Sequence, residues 1–126
     1  MVMRLASLTE DSREGTDVWI GSTPVAFRER NVSLGKYGDI SIRYKTLGGK
    51  CEYDKIMDGT FKAVLYLFKF TDGIVACSVS DIRKLLQQGR FQVIPNKADG
   101  TSGAYIKIAS LPQAVVIKGN VDTPQP

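Results

Sequence analysis

Residues 63–89 read AVLYLFKF, TDG, IVACSV, SDIRKLLQQG, and this stretch decides the fold. The first eight residues are almost continuously apolar and rich in aromatics, the pattern of a central strand covered on both faces. Thr71-Asp72-Gly73 is a tight-turn signal, and residues 74–79 return as the partner strand. Ser80 then stands as the expected N-cap of a helix with Asp81 in its first turn. Ile82, Leu85 and Leu86 form its apolar stripe and Gly89 ends it.

The same reading extends outward in both directions. Residues 17–20 (DVWI) and 24–30 (PVAFRER) are short strands, close enough to pair as a hairpin through Gly21-Ser22-Thr23. In the second, Val25, Phe27 and Glu29 point one way and Ala26, Arg28 and Arg30 the other. Residues 31–38 form a connection. Residues 40–45 alternate cleanly, with Ile40, Ile42 and Tyr44 on one face and Ser41, Arg43 and Lys45 on the other. Residues 51–58 are expected as a short helix closed by Gly59. Residues 91–94, 104–108 and 114–118 are further strands, separated by a polar loop at 97–103. The expected class is α+β: a mixed or antiparallel sheet of about six to seven strands with one or two short helices. Residues 1–119 form one domain in this reading, and 120–126, with two prolines and little to bury, form a flexible tail.

Composition sets the bounds on chemistry. The chain has 126 residues, 43% hydrophobic and 24% charged, ordinary values for a globular protein. No apolar run reaches the roughly 20 residues of a membrane helix, and residues 1–7 lack a signal peptide's apolar core, so a cytoplasmic location is expected. There is no histidine, which removes Ser-His-Asp and Cys-His catalysis and histidine metal sites. Cys51 and Cys77 show no CxxC spacing and read as buried, inert thiols. Glycine-rich phosphate loops, an EF-hand loop, HExxH and GxSxG are all missing.

The net charge of +4 is unevenly spread. Residues 28–69 carry nine Lys or Arg against five Asp or Glu, whereas residues 1–27 are net acidic. Arg28 and Arg30 on one strand and Arg43 and Lys45 on the next would gather four cations on one sheet face, with Lys55 nearby. Like charges directly opposed on paired strands repel, and a polyanion would relieve that repulsion. Tyr37, Tyr44 and Tyr53 are candidates to stack on bases, while Tyr66, Phe68 and Phe70 belong to the core. DNA or RNA is the expected partner.

The order of Asp17 on one strand, then a hairpin to the strand carrying Arg28-Glu29-Arg30, then the strand of residues 39–45, then the strand–turn–strand–helix block, resembles the PD-(D/E)XK nuclease-like superfamily across residues 14–89. The resemblance implies a three-strand meander and carboxylates that hold Mg2+ or Mn2+, with a lysine positioning the attacking water for phosphodiester hydrolysis. Mapped here, Asp17 and Glu29 would hold metal, and Asp17, Glu29, Glu52 and Lys45 would form the catalytic set. The sequence departs from that pattern in having no acidic-x-lysine tripeptide on residues 25–30, and Glu29 shares its face with Val25 and Phe27. The competing expectation is a non-enzymatic assembly domain: the apolar strands of residues 91–118 have little helix to cover them and would suit a homodimer.

Overall fold

The computed structural model describes residues 3–5, 15–45, 48–96 and 98–119. The expected C-terminal tail and most of the loop before Asp17 lie outside the described residues. In chain order the elements are β1 (Met3–Leu5), β2 (Val18–Ile20), β3 (Thr23–Glu29), a single helical turn α1 (Leu34–Tyr37), β4 (Asp39–Lys45) and α2 (Glu52–Asp58). Then follow β5 (Leu65–Phe70), β6 (Gly73–Ser78), α3 (Val79–Gln87), β7 (Gln92–Pro95), β8 (Ser102–Lys107), a 3-10 turn (Ile108–Ser110) and β9 (Val115–Lys118). The α+β class holds, with more strands than the sequence suggested: a mixed six-stranded sheet ordered β1-β2-β3-β5-β6-β9, and a three-stranded sheet ordered β4-β8-β7. No helix among the described residues is long and apolar enough to cross a membrane.

The β2–β3 hairpin turns on Gly21 and Ser22, with Gly21 at φ 61°, a left-handed conformation in which an added side chain is strained. β3 and β5 run parallel, and every other pair in the large sheet is antiparallel. A parallel pair needs a long crossover. Here α1, β4 and α2 make it, and β4 leaves the large sheet altogether to pair with β8. The three-strand meander implied by the nuclease-like resemblance is therefore not formed.

The central strand β5 alternates rather than being covered on both faces. Tyr66, Phe68 and Phe70 are buried, while Leu65, Leu67 and Lys69 face the other way and are partly open. Tyr66 and Phe68 stack at 4.2 Å between ring centroids. Ile40 and Ile42 of β4, Ile56 of α2, Ile82 of α3 and Ile106 of β8 close over them, so one core joins both sheets. Each fully buried side chain of this size contributes about 1.5–3 kcal/mol by leaving water.

The helix after β6 starts two residues earlier than the sequence reading. Its cap is Ser78, whose hydroxyl accepts the Asp81 amide at 3.0 Å, and Ser80 lies inside the first turn. Gly73 is strand rather than turn. A Cβ there would stand 2.6 Å from the Ile117 carbonyl oxygen, so glycine is what lets β9 close against β6. Both cysteines are free and buried, and burial pushes the Cys77 thiol up to about 12.

Candidate functional site

The site begins with the alternation of β3. Ala26 and Arg28 lie opposite Tyr66 and Phe68 of β5, on the face that meets the core. A cation on such a face needs a partner. Glu52, the first residue of α2, supplies it: Arg28 Nη2 lies 2.9 Å from both carboxylate oxygens. The same carboxylate accepts the Arg43 backbone amide at 2.9 Å and the Tyr66 hydroxyl. Burial and the neighbouring Glu52 charge hold the Tyr66 hydroxyl well above its ordinary pKa, so it stays a donor.

Arg30 follows just past the end of β3. Its amide donates to the Lys69 carbonyl at 2.7 Å, which extends the parallel ladder by one rung. Its guanidinium reaches across to the small sheet and donates to the Ser41 carbonyl at 2.6 Å. Nε is buried and has no hydrogen-bond partner. Burial, followed by the Arg28 charge, lowers its pKa, the mark of a cation held without a carboxylate of its own.

The small sheet supplies the facing wall. Its core face carries Ile40, Ile42, Ala104 and Ile106, and Ser41, Arg43, Gly103 and Tyr105 of the opposite face line the cleft. Ser41 pairs with Tyr105, and Arg43 with Gly103. The Tyr105 ring would lie 3.0 Å from a Cβ at Gly103, and the missing side chain gives the ring its room. The result is a cleft of about 760 Å3 between the sheets, within the range of ligand sites. Arg28, Arg30 and Arg43 line it with Ser41, Tyr105, Asn96, Asp99 and Thr101 from the β7–β8 connection, and Ser102 at the start of β8. Asp99 stands at the same rim, where bonds from Thr101 and the Arg43 charge hold its carboxyl below the usual range.

Three of the expected cations thus meet, but not as neighbours on one sheet. β3 and β4 belong to different sheets, and Arg28, Arg30 and Arg43 converge across the gap between them. Lys45 is exposed at the far end of β4 and Lys55 lies on α2; neither lines the cleft. Tyr44 and Tyr53 pack on each other at 4.8 Å and on Phe91, as an aromatic cluster at the edge of the core. Tyr105, in no earlier constellation, is the aromatic residue of the cleft. Its only signal was a place in an alternating strand.

The carboxylates expected to hold Mg2+ or Mn2+ do not fit one ion. Asp17 precedes β2 rather than lying on it, and its carboxylate accepts the Phe27 amide at 2.7 Å, extending the β2–β3 pairing beyond the first residue of β2. Glu29 points to the opposite face of the sheet and pairs with Lys69 at 3.4 Å. Both oxygens of Glu52 are occupied by Arg28 and by the Arg43 and Tyr66 donors. Among the described residues, no three His, Cys, Asp or Glu side chains gather as a metal site. No family model matches the chain, and no curated protein or solved structure matches it.

Proposed function

We propose that this chain is a nucleic-acid-binding module that holds a single strand by its phosphates in the cleft between the sheets. The observation that carries the reading is Arg30: a half-buried arginine with no carboxylate partner among the described residues, lining a cleft that also holds the exposed Arg43. A guanidinium fork matches phosphate oxygens, and a desolvated cation without a counterion gains most when an anion arrives. A cleft with one aromatic ring and several hydroxyl and amide groups suits a flexible strand, whose backbone can enter, better than a rigid duplex. Glu52 keeps Arg28 in place, so Arg30 and Arg43 make the phosphate contacts.

The test is the binding of a fluorescent single-stranded oligonucleotide across a salt series. Two phosphate contacts predict a log–log slope of about −1.4, since each contact on a single strand contributes about 0.7. Arg30→Gln and Arg43→Gln should each remove about half of that slope. No binding at low salt, or binding indifferent to salt, overturns the reading.

A second reading, self-association, is favoured by a different observation. The outer face of the large sheet carries Phe27, Leu65, Val115 and Ile117, all exposed.

A further inference from the structure

Arg30 stands at a junction rather than at the end of the cleft. Arg30, Ser41, Ile94 and Tyr105 line both the cleft and an adjoining depression of about 520 Å3, so they form the partition between the two spaces. The linings differ on the two sides. Toward the cleft lie Arg43 and the polar groups of the β7–β8 loop. Toward the depression lie Val32, Phe70 and Asp39. Val32 is exposed and Phe70 is part of the core, so the depression has an apolar wall on a rigid floor. Asp39, half-buried at the start of β4, offers carboxylate oxygens at the edge of that wall. One side is built for an anion, and the other for a flat apolar body with hydrogen-bond donors on its rim.

We infer that one nucleotide unit straddles this partition, with its phosphate on Arg30 and its base in the depression between Val32 and Tyr105. The inference rests on the reading of the cleft as a nucleic-acid site and names the unit that site recognises. Asp39 accepts from an exocyclic amino group, so bases that carry one on the presented edge are preferred over uracil and thymine. The phosphate meets the part of the Arg30 guanidinium that lines the cleft. Base and phosphate together bind better than either alone because one ordering cost serves both contacts.

The experiment is calorimetric titration of the full chain with adenosine monophosphate, adenosine, inorganic phosphate and uridine monophosphate. Adenosine monophosphate should bind at least about tenfold tighter than adenosine or phosphate, and tighter than uridine monophosphate. Arg30→Gln should remove that advantage, with Arg30→Lys as the charge-retaining comparison. Val32→Asp, a change at an exposed position, should bring adenosine monophosphate down to the level of phosphate. A mononucleotide that binds no tighter than phosphate, or that ignores Val32→Asp, overturns the straddling geometry. If the oligonucleotide still binds with salt dependence in that case, the cleft reading survives without it. If the oligonucleotide fails too, both readings fall.

Discussion

Glu52 shows how far one side chain can be misread from its charge alone. In sequence it is an acidic residue near a lysine and an arginine-rich strand, and so a candidate for metal or catalysis. In space it is a joint. Its carboxylate collects Arg28 from β3, the Arg43 amide from β4 and the Tyr66 hydroxyl from β5, partners 24, 9 and 14 residues away. The Glu52 side chain is 11% exposed and that of Arg28 21%, so neither charge is well hydrated once its partner is lost. Breaking a buried pair from one side leaves the other charge uncompensated, so Glu52→Ala should cost about 3 kcal/mol in a urea unfolding titration. Arg28→Met made in the Glu52→Ala background should recover part of that loss, because it removes the stranded cation. A Glu52→Ala variant within about 0.5 kcal/mol of the parent would mean that the joint carries little of the stability.

At the scale of elements, what was legible in the sequence was local. The β2–β3 hairpin, the β5–turn–β6–α3 block, and α2 closing at Gly59 all rest on signals within a few residues of one another. What was not legible was pairing at long range. The alternation of residues 40–45 gives the two faces of β4 but not its partner, which lies about 60 residues on in β8. Hence the arginines looked like neighbours on one sheet. The one-turn helix α1 has the same character. Ser33 makes no side-chain cap for it. The cap comes from the β5–β6 turn, where the Asp72 carboxylate accepts the Leu34 amide at 2.7 Å, the Ser33 hydroxyl at 2.9 Å and the Gly35 amide at 3.3 Å. Those bonds, the Leu34 amide first, hold the Asp72 carboxyl below its ordinary pKa. A carboxylate depressed in the folded state stabilises it above the unfolded value, about 3.9, and loses that effect as pH falls through the folded value. Asp72→Asn should therefore lower the melting temperature at about pH 6 and differ progressively less from the parent below about pH 4. A difference that persists unchanged into acid would assign the effect to something other than this carboxylate.

At the scale of the molecule, the two faces of the large sheet have different fates. The inner face meets α1, α2, α3 and the small sheet, and its aromatics are sealed in the core. The outer face runs from β3 through β5 to β9, with Phe27 at 42%, Val115 at 57% and Ile117 at 58% exposure. Its charges cancel: Glu29 pairs with Lys69 there, so the +4 of the chain does not set two such faces against each other. β9 adds an edge strand apolar on both sides, with Lys118 at its end. Edge strands of this kind invite pairing unless charge or cover blunts them. In the self-association reading proposed above, a second copy of the chain would cover the outer face with one isologous contact, the simplest closed symmetry. Sedimentation equilibrium should then show a dimer for the parent and a monomer for Phe27→Lys and Ile117→Lys, both at exposed positions where the core is untouched. Melting of the parent should also depend on protein concentration, because association stabilises the folded state by mass action. A monomer at the highest concentration the protein tolerates would sink self-association.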